Sequence, residues 1–183
     1  MTHHLDTTTR TPSQTQTQTQ TQTQTQRYKS VLGRFCTGVT VVTSLEDGVP
    51  TGFTCQSFSA LSLDPPLVLV CVRKESATWP GIRRTGRFAV SVLASDQRPV
   101  GDRFARSGVD RFAGVEWRPS PAGMPLIDGA LAWVECSVAH EVDAGDHTVV
   151  VASVTAMETG TARDPLLYYR GTYLGHEGRK AVT

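Results

Sequence analysis

Residues able to do chemistry crowd into one short stretch of this chain. From Gly52 to Val72 the sequence reads GFTCQSFSALSLDPPLVLVCV. Thr54, Gln56, Ser57, Ser59 and Ser62 supply hydroxyl and amide groups, Asp64-Pro65-Pro66 marks a turn, and Leu67 to Val72 is an apolar run of the kind that forms a buried strand. Almost none of the polar groups is charged. Neutral hydroxyls and backbone N–H groups suit a phosphate and a heteroaromatic ring carrying several carbonyls and nitrogens. A few such groups on an apolar wall are the usual make-up of a cofactor site. The same composition also describes a solvent-exposed strand and turn, and residue types alone leave both readings open.

The remaining chemistry-bearing residues are weaker candidates. His140 and His147 flank a hairpin that carries Glu141, Asp143 and Asp146, which are metal-ligand types. On an exposed hairpin they point in different directions, so solvated turn residues are the better reading and no metal is assigned. The chain has 4 Cys, at positions 36, 55, 71 and 136, all in apolar, strand-like or helix-like contexts. No Cys-x-x-Cys pair is present for zinc, and reduced cysteines acting as small core residues are expected. A Gly-x-Gly-x-x-Gly fingerprint, a phosphate-binding Walker loop and a Gly-x-Ser-x-Gly elbow are absent from the sequence. A dinucleotide must therefore be held in some other way, and no serine stands in a recognisable nucleophile context.

The elements that position these residues follow from periodicity. Gln14 to Gln26 alternates Gln and Thr with no apolar position. Residues 1–26 are thus expected to be a disordered tail, with the globular domain at 27–183. Tyr28, Val31, Leu32 and Phe35 form one face of a short helix. Gly38 to Ser44 is a strand, Glu46-Asp47-Gly48 a hairpin turn, and Thr51 to Ser57 the return strand. After Leu67 to Val72, Ser76 or Thr78 caps a helix through Ile82 and Arg84. Phe88 to Leu93 is another strand, and a polar helix runs from Ser95 towards Phe104. Arg106 to Asp128, rich in Gly and Pro, reads as irregular. Leu131 to Val142 and Thr148 to Met157 pair across the turn Ala144-Gly145-Asp146, and Leu166 to Tyr173 is a last strand. Hairpin turns join most of these strands and parallel units are absent, so the fold is mainly β with short helices, an antiparallel barrel or sandwich.

Composition sets outer limits. A length of 183 residues points to one domain, and 39% hydrophobic residues supply a core. The formal net charge of +1 gives no reason to expect nucleic acid as a partner. No apolar run approaches a membrane span, and the opening MTHHLDTTTRTPS lacks the apolar segment of a secretory signal. The cytoplasm is the expected location.

Taken together, FCTGVTVVTS (Phe35 to Ser44), the Gly52 to Val72 stretch, SATWPGIRRTGRFAVSVLA (Ser76 to Ala94), GDHTVVVASV (Gly145 to Val154) and PLLYYRGTY (Pro165 to Tyr173) resemble the flavin reductase family. The similarity runs in order from Tyr28 to Leu174. It implies a split β-barrel, a homodimer, and binding of FMN or FAD. It also implies hydride transfer from NADH or NADPH to the flavin, and delivery of reduced flavin to a partner flavin-dependent monooxygenase. A non-catalytic flavin-binding module and an oxidase with tightly held flavin are the alternatives. By the same resemblance Thr54, Cys55, Gln56, Ser57 and Ser59 line the flavin and its phosphate. Cys71, Val72 and Ser76 add contacts, Thr37 lies close by, His147 positions the nicotinamide and Tyr173 borders the site. The chain departs from the family pattern at Gln56, where Asn or Ser is commoner, and at Cys55, where Ala is commoner.

Overall fold

The computed structural model describes residues 14–161 and 164–174. The division it draws falls between Phe35 and Cys36. On the first side, α1 spans Gln14–Leu32. The Gln/Thr alternation expected to be a tail is therefore helical from Gln14 onward, while residues 1–13 lie outside the described residues. Glutamine is a fair helix former, and no Gly or Pro interrupts 14–32. Gly33 ends the helix, its N–H reaching Lys29 O at 2.9 Å. Tyr28, Val31 and Leu32 share one face as expected and are exposed, and Phe35 falls past the helix end.

From Cys36 onward the strands are β1 (Thr37–Gly38), β2 (Thr40–Glu46), β3 (Val49–Cys55), β4 (Ser59–Leu63), β5 (Pro66–Arg73), β6 (Arg87–Val92), β7 (Trp117–Pro119), β8 (Pro125–Ile127), β9 (Ala132–Ala144), β10 (His147–Thr159), β11 (Leu167–Tyr169) and β12 (Thr172–Leu174). Two short helices interrupt them, α2 (Trp79–Thr85) and α3 (Arg98–Phe104). Seven strands form the main sheet in the order β3-β2-β6-β9-β10-β5-β4, with β1-β11-β12 and β7-β8 as smaller sheets. All pairings among the described residues are antiparallel. The architecture is a split antiparallel β-barrel.

Turn chemistry sets the registers. Asp47 (φ 50°) and Gly48 (φ 80°) both take the left-handed backbone that a two-residue hairpin needs, which pairs Glu46 with Val49 and Val42 with Phe53. The β9–β10 hairpin carries register shifts near Val151 and Val154, bulges that curve the long ribbon. Alternation along β5 buries Val68, Val70 and Val72, which pack with Val42, Phe88, Val90, Val150, Trp79 and Ile82. A second cluster, Val39, Val41, Leu93, Phe104, Ile127 and Leu166, carries α3. Each large side chain buried this way contributes about 1.5–3 kcal/mol.

Three regions differ from expectation. β4 occupies Ser59–Leu63, which was read only as part of the polar run. β7 and β8 lie inside the segment read as irregular. The single strand expected over Leu166 to Tyr173 is a hairpin, because Arg170 (φ 51°) and Gly171 (φ 83°) reverse the chain. The four cysteines are free, but only Cys55 and Cys136 are buried; Cys71 is half-buried and Cys36 exposed.

Candidate functional site

A cleft of about 870 Å³ opens at the ends of β3 and β5. Its lining comes from the end of β3 and the turn after it, the end of β5, the segment leading into α2, the loop after α3, the start of β10, and β12.

The floor is built by hydroxyls that replace missing sheet bonds. The Ser57 hydroxyl accepts the Cys71 N–H at 2.8 Å and donates to the Cys71 carbonyl at 3.0 Å. One side chain thus pins the turn after β3 to β5, where strand pairing has run out. Thr40 Oγ1 donates to Cys55 O at 2.8 Å, and Thr54 Oγ1 donates to Gly101 O at 2.7 Å, tying β3 to α3. Cys55 Sγ sits 3.2 Å from Ser57 Oγ. Burial pushes the Cys55 thiol above its ordinary value, so it is a neutral group on this wall. Gln56 is exposed, and its side-chain amide makes no hydrogen bond with another described residue.

One side of the cleft is the approach to α2. Ser76 Oγ accepts the Trp79 N–H at 3.2 Å and does the capping, while Thr78 occupies the cap position without a side-chain cap bond. The Thr78 hydroxyl instead accepts from Arg111 Nη1 at 2.8 Å. The same nitrogen donates to Gly52 O at 2.7 Å, and Arg111 Nε donates to Arg106 O at 2.7 Å. Burial lowers the Arg111 pKa, and the group stays a cation at neutral pH. Gly52 is required there: a Cβ would stand 2.6 Å from Val42 O and 3.0 Å from Phe104 Cε1.

The rim carries His147, whose Nδ1 lies 2.8 Å from Asp146 Oδ1. That hydrogen bond holds the Asp146 carboxyl below its usual range, and it leaves His147 Nε2 for a ligand. His147 pairs in register with Arg73. Tyr173 closes the other border, its ring edge-on to Tyr168 at 5.2 Å. Burial first, then the charge of Asp102, raises its phenol.

The cleft collects Thr54, Cys55, Gln56, Ser57, Cys71, Val72, Ser76, His147 and Tyr173 from the expected set. Two expected residues lie elsewhere. Ser59 starts β4, where the chain has already left the cleft, and its exposed hydroxyl donates to Ala60 O. Thr37 lies in β1, paired with Tyr168 in the small sheet, its buried Oγ1 without a hydrogen-bond partner. Sequence reasoning missed Thr78, Phe104, Ser107 and Arg111. A lone arginine in a polar loop carries no local signal; only the path of α3 brings it here.

With this geometry fixed, comparison with known proteins gives a consistent answer. The flavin reductase like domain family matches residues 32–176. The chain belongs to the flavin reductase family. It is 50% identical over 157 residues to the flavin-dependent monooxygenase reductase subunit HsaB of Mycobacterium tuberculosis, covering 85% of this chain and 84% of that protein. Nitrilotriacetate monooxygenase component B from Mycobacterium thermoresistibile superposes with a TM-score of 0.82 at 46% identity, over 89% of this chain and 93% of that one. The NADH:FAD oxidoreductase SgcE6 of Streptomyces globisporus, solved in complex with NAD and FAD fragments, superposes with a TM-score of 0.78 at 36% identity, over 87% and 96% of the two chains. The activity of this flavin reductase is accordingly reduction of flavin by a nicotinamide nucleotide.

The residues present fit such a ligand. The donor set is neutral around Thr54–Ser57 and Cys71–Val72, as a ring with alternating carbonyls and nitrogens requires, while Arg73, Glu75 and Arg111 bring charge to the same cleft.

Proposed function

We propose that this protein transfers hydride from NADH to FMN, with FAD accepted by the same cleft, and releases reduced flavin to a separate flavin-dependent monooxygenase. One observation carries the reading: an open cleft whose floor, Thr54 to Ser57 against Cys71 and Val72, is polar and uncharged. The bound flavin supplies the two-electron acceptor, so the reaction, NADH with a proton and oxidised flavin giving NAD⁺ and reduced flavin, asks no general base of the protein. What the chain must do is hold two rings at reacting distance. Ser57 fixes the floor through its paired bonds to Cys71, and Gln56 offers a free amide to the flavin edge. His147, held at Nδ1 by Asp146, is the residue assigned to the nicotinamide.

The relatives' reductase-subunit names support the monooxygenase partner. The protein works as a homodimer in the cytoplasm; among the described residues no helix is long and apolar enough to cross a membrane.

The deciding experiment follows NADH and NADPH oxidation with FMN, FAD and riboflavin added in turn. Turnover that rises with free flavin, faster with NADH than with NADPH, is expected. Stoichiometric flavin binding without turnover defeats the proposal and leaves a flavin-binding module.

A further inference from the structure

His147 sits at the tip of the β9–β10 hairpin, and that tip overhangs the sheet. β6 pairs with β9 only from Ala132 to Ser137, after which Gly86 O accepts the Val138 N–H at 2.9 Å. From Ala139 to Ala144 this edge of β9 has no strand partner among the described residues. The overhang begins at a bulge: Val151 pairs with His140 and Ala152 with Val138, which leaves Ala139 as the extra residue. A ribbon bends at such a point. On the far edge β5 runs beside β10 as far as Arg73 opposite His147, and the Ser57 hydroxyl pins β5 at Cys71. The near edge, that of β9, is left to side chains.

Glu141 holds it. Standing opposite Val150 in the overhang, it accepts the Trp79 indole N–H at 2.9 Å and the Arg83 Nε–H at 3.0 Å on Oε1, and pairs with Arg83 Nη2 at 2.6 Å through Oε2. Both partners belong to α2. Trp79 is buried in the core, edge-on to Phe88. α2 is fastened in turn to β2, through Ser44 Oγ and Thr85 Oγ1 at 3.0 Å and through the ion pair of Arg84 with Glu46. β2 is the hairpin partner of β3, whose end carries Thr54 and Cys55 on the cleft floor. An isolated surface ion pair contributes little, but here a two-pronged guanidinium and a buried indole share one carboxylate, held at both oxygens.

We propose that Glu141 is a positioning residue for flavin reduction: it locks the His147 hairpin to α2 and so sets the place of His147 over the cleft floor. The inference rests on the flavin-reducing reading above and on the assignment of His147 to the nicotinamide. Glu141 acts through His147, for it does not itself line the cleft.

The test must separate positioning from mere stability. Steady-state kinetics with NADH and FMN, and FMN dissociation constants by flavin fluorescence, are measured on wild-type protein, Glu141→Ala, His147→Ala and the double variant, well below the Tm of each. Glu141→Ala is expected to raise KM for NADH about three- to tenfold, with kcat and the FMN dissociation constant within about twofold of wild type. The double variant is expected to match His147→Ala within about twofold, because a ring that is absent cannot be misplaced. Glu141→Gln, which keeps an acceptor for the indole and loses the charge, falls between. Effects of the two alanine substitutions that multiply overturn the proposal. So does an equal weakening of FMN, or a lower Tm with KM unchanged, either of which leaves Glu141 a structural residue. An unchanged KM in His147→Ala overturns it as well, while flavin-dependent turnover by wild-type protein keeps the reductase reading standing.

Should Glu141→Ala not fold, Arg83→Ala removes the guanidinium from its exposed side and keeps the bond to Trp79. It is expected to raise KM for NADH about two- to fivefold and to add nothing in the His147→Ala background, and multiplied effects overturn the proposal there too. Wild-type protein that oxidises no NADH with any flavin defeats the reductase reading. NADH dissociation constants of the same proteins then decide the role of Glu141 by the same pattern.

Discussion

Ser57 shows how much of this site rests on single side chains. Its hydroxyl supplies both a donor and an acceptor to Cys71, the two functions a strand neighbour would have supplied. The turn that follows β3 can therefore leave the sheet without stranding a buried amide, which would cost about 1–3 kcal/mol. The neighbouring Thr54 hydroxyl donates its proton to Gly101 O, so towards a ligand it can act only as an acceptor. His147 is different, since only Nδ1 is committed, to Asp146. Removal of a ring that contacts the nicotinamide and not the flavin should act on one ligand alone. In His147→Ala the apparent KM for NADH is expected to rise about five- to tenfold, with the FMN dissociation constant nearly unchanged. Steady-state titration of each substrate checks this, and an equal loss for both would remove His147 from the nicotinamide side.

Strands explain what the sequence could reveal and what it hid. β2, β5, β6, β9 and β10 are rich in β-branched residues or alternate cleanly, so their period was readable. β4 was not, because SALSL at a sheet edge is exposed at Ser59, Ala60, Leu61 and Leu63 and lacks a buried face to create a pattern. β7 and β8 are three-residue strands bounded by prolines, too short for any periodicity. The candidate site divides in the same way. Residues 54–57 are contiguous and were legible, whereas Arg111 reaches the cleft only because β3 and α3 come close at Gly52. That closeness is testable. A methyl at position 52 would press on the Val42 carbonyl at 2.6 Å, and neither β2 nor β3 can move without breaking the hairpin register. Gly52→Ala is expected to cost about 1–3 kcal/mol and lower Tm by roughly 3–10 °C in calorimetry. Unchanged Tm would mean the hairpin is not as tightly seated as its geometry requires.

At the scale of the whole molecule, the core also sets a pH limit. Burial, and then the neighbouring Glu135 carboxylate, push the Cys136 thiol from its ordinary 9.0 up to about 12. The unfolded chain therefore loses this proton before the folded one does. Stability is full below pH 9 and falls as pH rises from about 9 towards 12. Chemical denaturation across that range should show the decline, and Cys136→Ala should flatten it; an identical slope in both proteins would place the alkaline limit elsewhere.

The split of the barrel has a functional counterpart. The main sheet ends at β3 and β4 without joining them, and the end of β3 helps to line the open cleft. A ligand there can leave without unfolding anything. Whether it leaves equally well before and after reduction depends on where the protein has put its charge. Reduction adds electrons to the ring, and the groups read as its seat, Thr54 to Ser57 with Cys71 and Val72, are uncharged. A phosphate on the flavin carries the same charge in both redox states. Electrostatic discrimination between oxidised and reduced flavin should therefore be small, and dissociation constants for the two forms should agree within about tenfold, a difference below about 1.4 kcal/mol. Anaerobic dialysis of protein loaded with each form, followed by absorbance, measures this directly. Retention of reduced flavin through dialysis that strips the oxidised form would show that the ring meets a charge, and would be incompatible with handing reduced flavin to a second protein.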